Sequence, residues 1–468
     1  MTRRAGAARR RLRLPSPRTL GALFAGSLAA CAASQGATRA PADAPDADGL
    51  CFSSDTGGAI AASIYSLPSR YFALAEAERL LDAVHALAPR RQLVVLSDLR
   101  LAPAPRRHLV ATDGEEFSPW PRDPFSLAHD SGGRVRVVIR PNLQRGREAD
   151  ARLGEALVRG LPAELRRAWG EPTSTRAPTP FHNGQLLLDR DALWLSIHSV
   201  EPRALELLGL GRVPVETFAA PAGATRYAAA ARRAAAELAE LNGRPARFVH
   251  PLPRGDAEDG ELMTALGGGA GFDLDSLLTL LRPAQGGAVA LVADLSLAET
   301  LLPPPGDPSW EAARRQYGFV LPAGELRAHL AAAAAGPRAR GLDRFLDLVA
   351  EHLAGEGLAV ERLPAMLVPI PWLGRPELAH PDFVLGWNNV VVERAGAALR
   401  AEGFASGLAP LDAEAERRFA AAGARLELLP PLVESVVRNG GYRCASNHLR
   451  EADCGATPAP MAAPGRER

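Results

Sequence analysis

Strand-like apolar runs alternate with stretches of helical periodicity along almost the whole chain, and that alternation is what most limits the folds open to it. The strand-like runs lie at residues 92–96, 135–140, 186–196, 247–252, 288–293, 358–369, 384–393 and 425–429. Between them, apolar residues recur with helical spacing at 72–88, 149–169, 227–241, 274–281, 342–353 and 413–422. Short apolar runs read as strands and the longer periodic ones as helices, so the fold class is α/β. Turns fall at Asn242-Gly243, Gly267-Gly268-Gly269 and Pro303-Pro304-Pro305-Gly306. No low-complexity linker interrupts residues 51–455, which are expected to form one large domain built from modules.

The N-terminal segment has a different character. Arg3, Arg4, Arg9, Arg10, Arg11, Arg13 and Arg18 precede an apolar run at 20–30 with no acidic residue among them. The run is too short to span a bilayer and ends in Leu28-Ala29-Ala30-Cys31, which looks like a lipobox. Residues 1–30 are therefore expected to be a lipoprotein signal peptide, with Cys31 lipidated and facing the periplasm or the exterior. Ala32 rather than Asp after the cysteine favours the outer membrane. Residues 31–50 are mostly Ala, Pro, Asp, Ser and Gly with few large apolar side chains and are expected to form a flexible tether, and 456–468 a disordered tail.

A net charge of +1 and no basic stripe with interleaved aromatics give no reason to expect nucleic acid as a partner. Four cysteines, Cys31, Cys51, Cys444 and Cys454, are too few for a disulfide scaffold, and no Cys/His spacing matches a zinc site. There is no GxGxxG or P-loop phosphate cradle.

Four segments carry chemistry: Trp120-Pro121-Arg122-Asp123-Pro124, Phe181-His182-Asn183-Gly184-Gln185 running on to Asp189, Asp273-Leu274-Asp275, and Asn439-Gly440-Gly441-Tyr442-Arg443-Cys444-Ala445-Ser446-Asn447. Their order and their places at strand ends resemble the guanidino-modifying, or pentein, superfamily, especially agmatine deiminases and peptidylarginine deiminases. In those enzymes W-x-R-D comes first, an E-G-G-N-like strand start second, H-x-D third and a Gly-Gly-x-x-Cys ending last. Pro251-Leu252-Pro253-Arg254-Gly255-Asp256 and the stretch from Arg362-Leu363-Pro364 to Trp387-Asn388-Asn389 look like two further family segments. The resemblance implies an α/β propeller of ββαβ modules with pseudo-symmetry around a central channel, the active site lying on that axis.

The implied chemistry explains the residue types. A guanidinium is planar, permanently charged and a poor electrophile, so a site acting on it needs carboxylates that grip its N–H fork. Asp123 and Asp275 match the substrate-binding carboxylates and Cys444 the nucleophile, and the reaction calls for no metal or organic cofactor. Calcium is not expected either, because no acidic loop supplies several oxygen ligands. The departures from the family pattern fall on the acid–base residues: Asp273 stands at the family's His position and His182 at its Glu position. An aspartate of ordinary pKa cannot supply protons near neutral pH. The reading is a swap, in which His182 takes the acid–base role and Asp273 replaces the missing carboxylate.

The expected activity is a membrane-anchored, deiminase-like hydrolysis of a guanidino small molecule or an arginyl peptide. The alternative is a catalytically inactive binding lipoprotein of the same fold. Each residue also has a plainer reading. Cys444 could be in a disulfide with Cys454 or Cys51, Asp275 could cap a helix at 276–281, and Asp123 could be a turn residue with Arg122 as its surface partner. Tyr442 and Arg443 are assigned no role.

Overall fold

The structure, a computed structural model, describes residues 50–112, 117–140, 147–177, 185–211, 218, 221–254, 262, 266, 273–375, 377–378 and 381–451. The described chain opens on β1 (Cys51–Phe52) and β2 (Ile60–Ser66), followed by α1 (Leu74–Leu87), β3 (Gln92–Ser97) and β4 (Arg107–Ala111). A hairpin of β5 (Phe125–His129) and β6 (Val135–Ile139) leads through α2 (Leu153–Gly160) and α3 (Ala163–Ala168) to β7 (Thr173–Arg176). The next hairpin, β8 (Leu186–Leu188) and β9 (Leu193–Leu195), leads through α4 (Glu201–Leu207) and α5 (Pro221–Asn242) to β10 (Ala246–Phe248). Then β11 (Leu278–Leu281) and β12 (Val289–Asp294) are followed by α6 (Leu295–Thr300), α7 (Pro308–Tyr317), α8 (Ala323–Ala334) and α9 (Pro337–Gly355). Behind these come β13 (Ala359–Pro369) and β14 (Asp382–Gly386). The last hairpin is β15 (Val391–Ala395) and β16 (Ala398–Phe404), with α10 (Ala409–Ala421), β17 (Ala424–Leu429) and finally β18 (Ser446–Arg450).

These strands form five small sheets that repeat one unit. In each, two strands pair antiparallel and a helical crossover returns the chain parallel to the second of them: β5–β6 with β7, β8–β9 with β10, β11–β12 with β13, and β15–β16 with β17. A parallel pair needs such a crossover, which is why helices alternate with hairpins along the sequence. The fifth unit is assembled from both ends of the domain. Strand β18 pairs antiparallel with β2, and β2 pairs parallel with β3 across α1. Helix α1 shows how the helices attach: Ala77, Leu80, Leu81 and Val84 form one buried stripe against the sheet, while the remaining positions are more exposed.

Several sequence expectations change at this level. Residues 186–196 are two strands joined by a turn at Asp189–Ala192, because the polar Asp189-Arg190-Asp191 breaks the apolar run. Residues 384–393 contribute to two different sheets, split at Asn388-Asn389. The helix expected at 274–281 is instead a single 3-10 turn, Leu274–Ser276, running into β11, so Asp275 caps no helix there. Residues 149–169 hold two helices, since Pro162 disfavours helical backbone at Leu161 and ends α2. No helix among the described residues is long and apolar enough to cross a membrane.

Candidate functional site

In four of the five units the first strand is entered through a described loop that carries a polar residue at an equivalent place. Asp123 precedes β5, Asp275 precedes β11, Asn389 precedes β15 and Cys444 precedes β18, each by two or three residues. The lead-in loops are laced to one another. Asn447 Nδ2 donates to the Phe125 carbonyl at 2.8 Å, Thr279 Oγ1 to the Asn388 carbonyl at 2.6 Å, and Arg443 Nη2 to the Leu186 carbonyl at 2.9 Å. Repetition of the backbone unit therefore gathers residues distant in sequence at one place.

Cys444 lies at the centre of that gathering. Its thiol is free, which removes the disulfide reading; Cys51, by contrast, is disulfide-bonded. The Sγ lies 3.3 Å from Asp275 Oδ2, to which the thiol can donate, and accepts from Asn389 Nδ2 at 3.0 Å. Asn389 also accepts from the Cys444 backbone N–H through Oδ1 at 3.0 Å, so one amide fixes both the sulfur and its backbone. Cys444 is 6% exposed and Asp275 fully buried. Burial pushes the Cys444 thiol well above its usual range, and the charges of Asp275, Asp123 and Asp273 push it further, against the Asn389 hydrogen bond. Of the expected site residues, the structure thus brings Asp275 into contact with Cys444 and sets Asp123 and Asp273 within electrostatic reach. His182 lies outside the described residues.

Sequence reasoning missed three members of the site. Asn389 stood in a quoted motif without a role. Arg443 donates from Nη1 to Asp275 Oδ2 at 2.7 Å and from Nη2 to Asp55 Oδ2 at 2.9 Å, and Asp55 Oδ1 in turn accepts from Arg122 Nη2 at 2.7 Å. Arg122 is therefore paired with Asp55, and Asp123 Oδ2 accepts from Arg147 Nη1 at 2.8 Å. Burial works against the ionised form of Asp55, but Arg122, Arg443 and Arg450 outweigh it and hold the carboxyl well below the usual range. Asp275 Oδ1 is buried and accepts no hydrogen bond among the described residues, whereas Oδ2 serves both Arg443 and the thiol.

The two glycines before Cys444 are there for close approach. A Cβ on Gly440 would collide with Trp120 Nε1, and one on Gly441 would collide with Asn389 Cβ and stand 2.7 Å from its Cγ and Oδ1. Asn439, with φ of 65°, sets the left-handed entry to the turn. Gly441→Ala is expected to displace Asn389 from the sulfur and to cost about 1–3 kcal/mol of stability, as overpacking does. Urea unfolding checks the cost, and a loss of order in Asn389 in a crystal of the variant checks the displacement. Asp275→Asn is expected to move the pH profile of Cys444 alkylation by iodoacetamide to lower pH, because a carboxylate that disfavours the thiolate is neutralised. A midpoint that stays or rises contradicts that assignment.

No family model matches the chain, and no curated relative is found. Solved structures do match. A cysteine-to-serine variant of C. jejuni agmatine deiminase with substrate bound aligns over 86% of this chain and 97% of its own, with a TM-score of 0.51 at 10% identity. The agmatine deiminase of Enterococcus faecalis aligns over 89% and 100%, with a TM-score of 0.45 at 11% identity. The fold is the pentein α/β propeller, as the resemblance implied, with the five repeated units as its blades.

Proposed function

We propose that this chain is a hydrolase of a guanidino, arginine-type substrate that uses Cys444 as its nucleophile. The observation that carries the reading is a free, buried thiol 3.3 Å from a buried carboxylate whose other oxygen has no described partner. We assign Asp275 Oδ1, which has no described partner, to accept from a guanidinium N–H, and Asp123 as the second carboxylate. The same three carboxylates that disfavour the thiolate favour a bound cation. Once a guanidinium sits among them its charge offsets theirs, and the thiol ionises more readily.

The thiolate then attacks the guanidinium carbon, forming a C–S bond. The thiol proton passes to a departing nitrogen, which leaves as ammonia, and an S-linked amidinium remains on Cys444. Water adds to that carbon, the C–S bond breaks, and the products are a ureido compound and the restored thiol. We assign the proton transfers to His182 and a charge-holding role to Asp273. The substrate is a free guanidino small molecule or an arginyl peptide, with no cofactor called for.

We further propose lipidation of Cys31 and anchorage facing the periplasm or exterior, outer membrane favoured, with residues 51–455 as the tethered domain. The disulfide at Cys51 supports an oxidising compartment.

A second reading, an inactive propeller that retains a guanidinium pocket, draws on Arg443, whose own guanidinium already occupies Asp275 Oδ2. Turnover separates the two. The purified full chain, incubated with free arginine, agmatine and arginyl peptides, is expected to release ammonia and a ureido product from at least one class. Absence of turnover on all three, with the Cys444 thiol titrated as free, would sink the hydrolase reading and leave the inactive one.

A further inference from the structure

The sulfur of Cys444 has two hydrogen-bond partners among the described residues, and they are unlike. Asp275 Oδ2, at 3.3 Å, accepts while the carboxylate is ionised and so meets the protonated thiol, whereas Asn389 Nδ2, at 3.0 Å, can only donate. Loss of the thiol proton therefore turns the first contact from attraction to repulsion. It strengthens the second, because a hydrogen bond to an ionised acceptor is the stronger kind.

The amide is held from turning away. The Cys444 backbone N–H is a donor and requires an oxygen opposite it, so Oδ1 takes that place at 3.0 Å and Nδ2 is left facing the sulfur. The Asn389 carbonyl accepts from the Arg443 N–H at 3.2 Å, and Nδ2 also reaches Ser276 Oγ at 3.4 Å. Gly441 packs so near that a Cβ there would stand 2.4 Å from Asn389 Cβ, and Asn389 is 7% exposed. One residue is thus tied to the backbone of both Arg443 and Cys444 and to the sulfur itself.

We propose that Asn389 is a positioning residue for the reaction at Cys444: its Nδ2–H aims the sulfur and stabilises the thiolate once the thiol proton has passed to the departing nitrogen. The proposal rests on the reading of Cys444 as the nucleophile, but its test needs no turnover. The residue type suits the substrate class. An arginine or lysine here would stabilise the thiolate more strongly but would repel a guanidinium. An aspartate would add a further carboxylate to Asp275, Asp123 and Asp273, which already oppose ionisation together with burial. A neutral amide donates with neither effect.

The test is the pH profile of Cys444 alkylation by iodoacetamide in the full chain, read from the mass of the labelled peptide. Asn389→Ala is expected to raise the midpoint by about one pH unit or more, the worth of a hydrogen bond to a charged group. Asn389→Asp separates the two roles of the amide, since it keeps an oxygen for the Cys444 N–H and loses the donor to the sulfur. Its midpoint is expected to rise at least as far. A changed plateau rate with an unmoved midpoint in either variant shows that Asn389 only anchors the loop, and overturns the proposal. Should neither variant fold, the unaltered protein carrying isotope-labelled asparagine decides. The side-chain amide resonance of Asn389 is expected to move with the alkylation midpoint, and a resonance indifferent to that titration overturns the proposal.

Discussion

Arg91→Met is expected to cost the fold about 3–5 kcal/mol, a loss large enough to threaten folding on its own. Arg91 is buried, and its two terminal nitrogens reach Glu402 at 2.7 Å through both oxygens and Glu393 at 2.8 Å. Removing the cation leaves Glu402, whose side chain is fully buried, with Arg400 at 3.1 Å as its remaining cation. The cost arises from the stranded charge more than from lost packing, so adding Glu402→Gln to Arg91→Met is expected to recover part of it. Urea is the appropriate denaturant, because guanidinium would compete for the proposed site. A loss below about 1 kcal/mol, or no recovery in the double variant, contradicts the stranded-charge explanation.

The network reaches the thiol loop. Tyr442 donates to Glu402 at 3.2 Å and shares a 2.7 Å hydrogen bond with Tyr65. Burial holds Tyr442 well above its usual range, so it stays a neutral phenol. Two residues on, Cys444 is gripped by Asn389. The strength of the buried pair and the placing of the sulfur thus belong to one connected set of hydrogen bonds.

Cys444→Ala is expected to lower turnover of any guanidino substrate by roughly 10⁴-fold or more, since a covalent route loses its only bond-forming atom. Asp275→Asn weakens substrate binding and chemistry together, whereas the alanine variant keeps the carboxylates and is expected still to bind a guanidinium. Retention of binding with loss of turnover identifies the sulfur as the reacting atom. Comparable turnover in Cys444→Ala and the unaltered protein would show that the chemistry lies elsewhere.

Much of the site was legible because its residues sit in short motifs: Trp120 to Pro124, Asp273 to Asp275 and the segment ending in Cys444. The five-fold repetition was not, because its units share a backbone path and not side chains. Asp123, Asp275, Asn389 and Cys444 hold equivalent places but are two aspartates, an asparagine and a cysteine in unlike motifs, so no period shows in the letters. Strand β18 reads Ser-Asn-His-Leu-Arg, polar at four of five positions, yet every residue is buried. It is held by partners distant in sequence, such as Ser63 for His448 Nδ1 at 3.0 Å and the Phe125 carbonyl for Asn447. Residues 274–281 failed for the opposite reason: a short apolar run fits helix and strand alike, and pairing with β12 decided it. Arg443 was passed over because a lone arginine in a motif gives no sign that it will lie between two carboxylates.

Covalent catalysis at Cys444 is open to a decisive measurement, the intact mass of the protein during turnover. The full chain is mixed with agmatine, arginine or an arginyl peptide, quenched in acid and measured intact, and the modified peptide is then mapped. The expected result is an adduct equal to the substrate less ammonia, confined to Cys444 and absent from Cys444→Ala. An unmodified thiol throughout a turnover that releases ammonia, or an adduct at another residue, would contradict it.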